Sequence, residues 1–493
     1  MTKVYLVGAG PGDPALITWK GRQLLSRADS VLYDHLANEH LLNLTPKHCE
    51  HIYVGKKKAV HAFEQQEVCA MMIDRARRGL TVVRLKGGDP FIFGRGGEEV
   101  EALAEAGIPF EVVPGVTSPL GIAAYSGVPL THRDHTKLVT FVTGHDLHAI
   151  DWSKVGQSET LVIFMGIFFI RDIAREIMTH GRSGDTPAIA VRWGTRPNQE
   201  TVTGTLATIA AKIEEADLKP PATVIIGEVV GLHDKLNWYE KLPLFGKKIV
   251  VTRAPDQAAE FSERLIALGA DAIELPVIDI QPPEDPTRLD QALATLSSYD
   301  WLIFTSVNGV RFFLDRLDRS PHDLRQLKAS ICAIGPATRQ AIESLHLKVD
   351  LMPEQYVAES LVAAFATSAL GGKRILLPRA AVARDLIPTE LAKRGAQVDV
   401  VEAYRNVIPA DAAARAREIF SAPHKPDWIT FTSSSTVKNC LAIAGRESLE
   451  GIRLASIGPV TSATAREQGL KIDAEAKQFT LDGLIEAIVA HAS

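Results

Sequence analysis

The chain has 493 residues, of which 46% are hydrophobic and 23% are charged, and its net charge is −5. This composition predicts a globular protein of two to four domains, and the acidic balance argues against non-specific nucleic-acid binding as its main role. The four cysteines are far apart and form no Cys-x-x-Cys pair. Neither a disulfide framework nor a zinc site is therefore expected, and a reducing compartment fits.

Neither a membrane segment nor an export signal is expected. The longest apolar run, Leu161 to Ile170, is too short to span a bilayer. The chain enters a strand pattern at Lys3–Val7 without the composition of a signal peptide. The cytoplasm is the expected location, and neither a membrane nor a nucleic acid is expected among the partners.

A glycine-rich turn, Gly8-Ala9-Gly10-Pro11-Gly12-Asp13, follows this first strand. A dinucleotide-binding fingerprint needs a third glycine where this chain has Asp13, and Pro11 occupies the tight turn. A carboxylate at that point would also repel a pyrophosphate. The turn therefore argues against an NAD site.

Two charged residues follow the next strand patterns. Asp34 comes after the run Ser30–Tyr33, and Lys56 follows His51–Val54 and one glycine. Acidic and basic groups at the carboxyl ends of parallel strands lie where ligands bind in open α/β sheets. The alternative, that both are exposed charges beside loops, stays open from the local sequence alone.

The most informative stretch runs from Arg84 to Glu99 and contains five glycines in sixteen residues. Such a density excludes a helix or strand interior. The flanking patterns predict a strand at Thr81–Val83 and a helix from Glu98 to Ala106. A glycine-rich loop between a strand and a helix lets main-chain N–H groups approach a ligand closely. We therefore interpret it as a binding loop.

Further glycine-containing loops at 113–118 and 192–195 also follow short β-branched runs, so the first half is predicted to be α/β. A junction is predicted at 237–248, after which a new strand begins a second α/β unit. No metal site is expected in the first half. Four histidines cluster loosely there, but their spacing matches no helical metal pair: His132, His135, His145 and His148.

The second half repeats itself. Phe304-Thr305-Ser306 returns as Phe431-Thr432-Ser433, 127 residues later, and Ile334-Gly335-Pro336 returns as Ile457-Gly458-Pro459, 123 residues later. Arg253-Ala254 also returns 126 residues later. A period this long predicts two duplicated lobes rather than a solenoid. Ligands commonly bind between two such lobes.

Hydroxyl residues mark the repeated motifs. Thr305-Ser306 and Thr432-Ser433 follow predicted strands and precede helix patterns. Hydroxyls at such positions cap helices, and the free N–H groups there also favour anions, so both functions stay open. No Gly-x-Ser-x-Gly elbow with a His-Asp pair supports a hydrolase.

The first half resembles the uroporphyrinogen-III C-methyltransferases of the tetrapyrrole methylase family, over essentially its whole length. The second half resembles the uroporphyrinogen-III synthases, through its duplicated Thr-Ser and Gly-Pro-x-Thr motifs and Ala403-Tyr404-Arg405. The product of the second family is the substrate of the first, which agrees with their fusion. The motifs that carry the first resemblance are Val7–Pro14, Leu32–Asp34, Val54–Lys56, Val83–Gly96, Tyr125–Arg133 and Asp234–Trp238.

Together the two resemblances imply an α/β fold in both halves. The methylase is expected at 1–243, with two α/β subdomains at about 1–113 and 114–243. A bilobed synthase with duplicated lobes is expected at 244–493, with one lobe combining about 249–270 and 406–493 and the other spanning 271–405. Because the methylase family is generally homodimeric, a homodimer through that half is implied.

The methylase resemblance implies transfer of two methyl groups from S-adenosylmethionine to carbons 2 and 7 of uroporphyrinogen III. The products would be precorrin-2, for sirohaem or cobalamin, and S-adenosylhomocysteine. Asp34 matches the family's base and Lys56 its proton donor. Ser118 replaces an alanine common in relatives, a small change that should leave binding intact. The positions implied in cofactor binding are Pro11, Gly87, Gly88, Asp89, Ile92, Thr117, Ser118, Met165 and Gly194.

The synthase resemblance implies that hydroxymethylbilane loses water, closes and inverts its last ring to give uroporphyrinogen III. Tyr404 matches the family's acid for departure of the hydroxyl group, with a half-buried strand tyrosine as the alternative. The expected substrate contacts in this half are Thr305, Ser306, Thr338, Thr432, Ser433 and Thr461.

Both substrates carry eight carboxylates, and the net charge of the protein does not attract them, so local cations are needed. The candidates in the first half are Lys56, Arg84, Lys86, Arg95 and Arg133. Two alternatives remain. The second half could be a non-catalytic tetrapyrrole-binding or docking module, and the methylase could act on a later corrin intermediate. The glycine-rich loop together with Asp34 and Lys56 argues against the latter.

Overall fold

The computed structural model describes residues 3–55, 63–366 and 368–492. It divides into two compact units, one formed mainly by residues up to Lys248 and the other mainly by Ile249–His491, with residues 263–272 grouped with the first. The observed division at 248 lies within the junction predicted at 237–248, five residues after the predicted methylase limit at 243.

The first unit alternates short strands and helices. Its strands are β1 Val4–Gly8, β2 Ser30–Tyr33, β3 Glu50–Tyr53, β4 Val82–Lys86, β5 Phe110–Val113, β6 Val139–Thr143, β7 Thr160–Phe164, β8 Pro187–Arg192, β9 Glu200–Thr205 and β10 Ala222–Ile226. Its helices are α1 Trp19–Leu25, α2 Gln65–Arg77, α3 Gly96–Glu105, α4 Ser118–Ser126, α5 Trp152–Val155, α6 Ile170–Thr179, α7 Ile209–Glu215 and α8 His233–Leu236.

The first subdomain is an open parallel sheet with strand order β3-β2-β4-β1-β5. Successive residues of a strand point to opposite faces. Val82 of β4 accordingly packs with Met72 and Leu103 on the face covered by α2 and α3, whereas Val83 packs with Leu25 on the opposite face. Arg84 and Lys86 share the periodicity of Val82 and lie toward α2 and α3.

The second subdomain is a mixed sheet with strand order β6-β7-β10-β8-β9. Only β6 and β7 pair in parallel, and the other neighbours are antiparallel. One face carries a core of aliphatic residues that includes Leu161, Ile173 and Ile209, all fully buried. The helix α4 packs Ile122 and Ala123 against the opposite face.

The second unit also alternates strands and helices. Its strands are β11 Lys248–Val251, β12 Asp271–Glu274, β13 Asp279–Gln281, β14 Trp301–Phe304, β15 Ser330–Ala333, β16 Arg374–Ala380, β17 Gln397–Val407, β18 Trp428–Phe431, β19 Arg453–Ser456 and β20 Ala474–Glu475. Its helices are α9 Pro255–Ala267, α10 Thr287–Ala294, α11 Val307–Asp318, α12 Pro336–Glu343, α13 Ala358–Ala364, α14 Leu386–Lys393, α15 Ala412–Phe420, α16 Ser434–Ala444, α17 Pro459–Glu467 and α18 Leu481–Val489.

The two sheets of this unit have the same topology. One has the order β12-β11-β18-β19-β20, and the other has β13-β17-β16-β14-β15. In sequence, β12, β11, β18 and β19 correspond to β17, β16, β14 and β15, which occupy the same order in the second lobe. Beyond β15, an isolated parallel bridge between Cys332 and Leu351 takes the place of β20. The predicted α/β fold with duplicated lobes is confirmed.

The boundary between the lobes lies later than the predicted limit at residue 270. Asp271–Glu274 forms β12 and extends the sheet of the first lobe beside β11. The second lobe begins with β13, which pairs antiparallel with β17 from Asp279 to Gln281. Among the described residues, no helix is both long and apolar enough to cross a membrane.

Candidate functional site

Glycine residues at the ends of β1, β4 and β5 bring the main chains of three neighbouring strands into direct contact. A Cβ atom placed on Gly8 would lie 2.5 Å from the Cα of Gly115, and one placed on Gly115 would lie 2.2 Å from the carbonyl oxygen of Gly88. Gly10 and Gly88 exchange main-chain hydrogen bonds of 3.2 and 2.7 Å. Close packing therefore requires glycine at Gly8 and Gly115, and the φ of 67° at Gly88 also favours glycine. These residues lie at the carboxyl edge of a parallel sheet, where ligands bind.

The loop after β4 is held by its own aspartate. Asp89 Oδ2 accepts a hydrogen bond from the N–H of Gly115 at 3.0 Å, and Oδ1 accepts one from the N–H of Phe91 at 2.8 Å. Phe93 and Arg95 adopt left-handed backbone, with φ of 51° and 58°. Ile92 is 39% exposed despite its apolar side chain. The loop thus presents apolar side chains and main-chain groups outward.

Helix α4 completes this edge of the first subdomain. Thr117 precedes the helix without a side-chain capping bond, and Ser118 is its first residue. A Cβ on Gly88 would lie 3.6 Å from the N–H nitrogen of Ser118. The Cγ of Pro11 lies 2.4 Å from the position that a Cβ on Gly121 would occupy. The structure therefore brings Pro11, the Gly87 loop, Thr117 and Ser118 together.

The second subdomain contributes to the same crevice. The Phe93 and Phe164 rings lie 4.8 Å apart, and Phe164 is followed by Met165, which has a φ of 52° and is 51% exposed. Gly194 packs so closely on Ile122 of α4 that a Cβ there would lie 2.3 Å from a side-chain carbon. Met165 and Gly194 therefore lie beside the loops of the first subdomain.

Asp34 lies at the end of β2 on the same edge. Its Oδ1 accepts a hydrogen bond from the N–H of Leu36 at 3.1 Å, and its Oδ2 accepts one from Arg84 Nη2 at 3.1 Å. The side chain remains 24% exposed. Leu36 contacts the glycine-rich loop directly, because a Cβ on Gly87 would lie 2.4 Å from the Cβ of Leu36.

A buried charge cluster supports Asp34. Glu99 of α3 is fully buried, and its Oε1 accepts hydrogen bonds from Arg84 Nε at 3.1 Å and Lys86 Nζ at 2.9 Å. Gln65 of α2 donates to the same oxygen at 2.9 Å. Burial lowers the pKa of the Lys86 amine, and Arg84 lowers it further, whereas Glu99 opposes both effects. Arg84 therefore connects Glu99 to Asp34.

The prediction that Arg84 and Lys86 contact substrate carboxylates is revised. Strand β4 extends to Lys86, beyond the predicted end at Val83, and both side chains face α2 and α3. Arg84 is 6% exposed and Lys86 is 4% exposed, and both are paired to Glu99. Neither cation is left free to meet a poly-acid ligand at the surface.

The other predicted cations are placed differently. Arg95 is exposed, directly precedes α3 and pairs with Glu98 at 3.0 Å. Arg133 is exposed in the turn after α4. Lys56, predicted as proton donor, lies outside the described residues.

In the synthase half, two predicted residues touch. The hydroxyl groups of Ser306 and Tyr404 lie 3.0 Å apart, and Ser306 Oγ also accepts a hydrogen bond from the N–H of Gly309 at 3.0 Å. Tyr404 is 8% exposed, and its ring stacks on Phe312 with centroids 5.9 Å apart. Ser306 therefore caps α11 and also orients the Tyr404 hydroxyl.

The other predicted hydroxyl residues of this half occupy corresponding positions in the two lobes. Ser433 caps α16, where its Oγ accepts from the N–H of Thr436 at 3.3 Å and the Thr436 hydroxyl accepts from the N–H of Ser433 at 3.2 Å. Thr305 and Thr432 are half-buried. Thr338 and Thr461, in the first turns of α12 and α17, are each 4% exposed. Helix capping is thus observed at Ser306 and Ser433.

Sequence reasoning missed hydrogen bonds of Asp13 that help to hold the two subdomains of the first unit together. The Asp13 N–H donates to Thr195 Oγ1 at 2.9 Å, and its Oδ2 accepts from the Tyr125 hydroxyl at 2.6 Å. Burial raises the pKa of Tyr125, and Asp13 raises it further. Glu99 was missed as well, because its partners lie on another element. In the part of the chain that the structure describes, no three His, Cys, Asp or Glu residues come together as metal ligands.

Comparison with known proteins finds a different family in each half of the chain. Residues 3–210 match the family described as Tetrapyrrole (Corrin/Porphyrin) Methylases, and residues 259–486 match Uroporphyrinogen-III synthase HemD. The Porphyrin biosynthesis protein HemD of Ruminiclostridium josui is 36% identical over 493 residues, which cover 99% of this chain and 97% of that protein. The chain belongs to these two families. The predicted fusion of a methylase with a synthase is confirmed.

Two further relatives are named as methyltransferases. The Uroporphyrinogen-III C-methyltransferase of Bacillus subtilis is 38% identical over 346 residues, which cover 69% of this chain and 71% of that protein. A crystal structure of Uroporphyrin-III C-methyl transferase from Thermus thermophilus, complexed with S-adenosyl homocysteine, is 43% identical. It covers 46% of this chain and 99% of its own, with a TM-score of 0.41.

The buried cluster predicts a large effect of Glu99→Gln on stability. The substitution leaves the buried Lys86 amine without its anion and Arg84 paired with Asp34 alone, and it should destabilise β4 and α3 by about 3–5 kcal/mol. Hydrogen-exchange mass spectrometry of peptides covering 82–105 measures this change locally. Glu98→Gln is the matched control, because Glu98 is 51% exposed and its pair with Arg95 should contribute only about 0–1 kcal/mol. Equal protection in both variants would contradict the assignment.

Proposed function

We propose that the chain converts hydroxymethylbilane to uroporphyrinogen III and then methylates this product at carbons 2 and 7 to give precorrin-2. The observation that carries the methylase assignment is the contact between the loop of Asp34 and the glycine-rich loop, through Leu36 and Gly87. This contact puts a partly exposed carboxylate next to the crevice in which a methyl donor would bind. The order of the two reactions follows from their chemistry, because the product of the first is the substrate of the second.

The crevice suits S-adenosylmethionine. Glycine backbones approach one another too closely for any side chain, so main-chain groups are exposed to a ligand there. Ile92 and Met165 add exposed apolar side chains. Pro11, Gly87, Gly88, Asp89, Ile92, Thr117, Ser118, Met165 and Gly194 would line the cofactor. When bound, the cofactor supplies a sulfonium-activated methyl group.

The protein then has to position the acceptor carbon and remove a proton. Exclusion of water and alignment of the two reactants provide most of the rate increase in such a transfer. Methylation of a pyrrole carbon must be followed by loss of a proton from the macrocycle. Asp34 is proposed as the base, because Leu36 and Arg84 each hold one of its oxygens. The cations proposed to bind the substrate's carboxylates are Lys56, Arg95 and Arg133, and Lys56 is also proposed as the proton donor. We further propose that the chain forms a homodimer through this half.

In the synthase half, Tyr404 is proposed as the acid that assists departure of the hydroxyl group. Its hydroxyl hydrogen-bonds with Ser306 Oγ. The Ser306 hydroxyl is in turn held by the first turn of α11, so the tyrosine hydroxyl has a defined direction. Thr305, Thr338, Thr432, Ser433 and Thr461 are proposed to hold carboxylates of the bilane, with main-chain N–H groups of the same helix starts.

A product assay on the whole chain tests both activities. With hydroxymethylbilane and S-adenosylmethionine, the wild-type protein should form precorrin-2, whereas Asp34→Asn should accumulate uroporphyrinogen III and still bind the cofactor. Asp74→Asn is a suitable control, because Asp74 is 62% exposed on α2. Wild-type turnover in Asp34→Asn would reject the base assignment. Formation of uroporphyrinogen I alone would instead make the second half a non-catalytic binding module.

Tyr404→Phe should slow uroporphyrinogen III formation by at least about a hundredfold, because a general acid commonly contributes this much. Methylation of added uroporphyrinogen III should be unchanged in the same variant. Tyr299→Phe provides the control: Tyr299 belongs to the same half and is likewise buried, but its hydroxyl donates to Asp399 at 2.7 Å. If Tyr404→Phe kept the rate of the control, Tyr404 would have a packing role only.

A further inference from the structure

Each lobe of the synthase half exposes one aromatic side chain immediately before a helix. Tyr356 precedes α13 and is 56% exposed, and Phe479 precedes α18 and is 67% exposed. A single exposed aromatic residue is common on protein surfaces. These two are separated by 123 residues, which is also the offset between Gly335 and Gly458. They are therefore one position that occurs twice.

The surrounding chain repeats in the same register. Gln355 returns as Gln478, and Leu361 of α13 returns as Leu484 of α18, both 123 residues later. Both leucines are fully buried, whereas the aromatic residue five positions earlier is not. The core anchors of α13 and α18 thus fix the segment without using the aromatic ring.

A repeated hydrogen bond fixes the start of the segment. Asp350 Oδ2 accepts from the N–H of Ile331 at 2.7 Å, and Asp473 Oδ2 accepts from the N–H of Leu454 at 3.0 Å. Both pairs are again 123 residues apart. The two aromatic residues therefore follow equivalent backbone paths beside β15 and β19, and the duplication extends to their positions in space within each lobe.

Each ring lies against a glycine at the carboxyl edge of its sheet. A Cβ on Gly335 would lie 3.3 Å from the Cβ and Cγ of Tyr356, and one on Gly458 would lie 2.8 Å from Cδ1 of Phe479. These glycines precede α12 and α17 and have no side-chain capping bond. Both rings consequently stand where a parallel strand ends and a helix begins, which is the ligand-binding edge of such sheets.

The chemistry of the bilane fits this arrangement. Its pyrrole rings are flat and apolar, and each carries carboxylates at its rim. An exposed aromatic face packs on such a ring, while neighbouring N–H groups donate hydrogen bonds to the carboxylates. We propose that Tyr356 and Phe479 are pyrrole-stacking residues, one in each lobe, that contact different rings of the linear tetrapyrrole. This inference rests on the proposed synthase function.

Leucine substitutions test the proposal in the full chain. Tyr356→Leu and Phe479→Leu keep an apolar side chain but remove the flat face, so each should raise the KM for hydroxymethylbilane about three- to tenfold. The double variant should show approximately the product of the two effects. The swaps Tyr356→Phe and Phe479→Tyr are matched controls that keep the ring, and both should retain the wild-type KM.

Methylation of added uroporphyrinogen III is the internal control for folding and should be unchanged in all variants. A wild-type KM in the leucine variants, or an equal rise in the ring-retaining swaps, would overturn the proposal. If the wild-type chain forms only uroporphyrinogen I, the synthase function fails separately. Calorimetry with uroporphyrinogen III then decides the stacking proposal, which requires weaker binding by the leucine variants and is overturned by equal affinity.

Discussion

The methylase half depends on contact between backbones that carry no side chains. Gly8 ends β1 and Gly115 follows β5. A Cβ on Gly8 would lie 2.5 Å from the Cα of Gly115, and one on Gly115 would lie 2.2 Å from the carbonyl oxygen of Gly88. This contact shapes the crevice at the carboxyl edge of the sheet and positions the loop that Asp89 holds in place. The predicted base, Asp34, is tied to the same loop through Leu36. In the proposed function, cofactor binding and proton removal would therefore share this framework.

The two halves orient the side chains proposed as base and acid, Asp34 and Tyr404, by different means. The methylase half uses a buried ion cluster, in which Glu99 holds Arg84 and Arg84 holds Asp34. Such a cluster contributes little net stability, because desolvation offsets most of the attraction, but it defines one arrangement of charges. The synthase half uses neutral hydroxyls at helix starts, as at Ser306 and Tyr404. In the proposed synthase reaction, neutral groups would suit a ligand that carries many charges and must still move during ring inversion.

Much of the fold could be predicted from the sequence, since its signals are local. The glycine density at 84–99 and the repeats at 123 and 127 residues indicated a binding loop and duplicated lobes. Arg84 and Lys86 were predicted as substrate contacts because the expected substrates carry eight carboxylates, whereas the structure pairs both cations with Glu99. Their partner Glu99 lies on the next helix, and sequence spacing does not show that β4 and α3 bring them together. The Tyr356–Phe479 repeat was missed because tyrosine and phenylalanine do not match letter by letter.

Calorimetric titration with S-adenosylhomocysteine tests the central claim most directly. The wild-type protein and Gly97→Ala should bind equally, because a Cβ on Gly97 meets nothing within 4 Å. Gly115→Ala should bind at least about tenfold more weakly, since its Cβ would clash with the carbonyl oxygen of Gly88 at 2.2 Å and force the loops apart. Equal affinity in all three proteins, or no binding by the wild-type chain, would contradict the account.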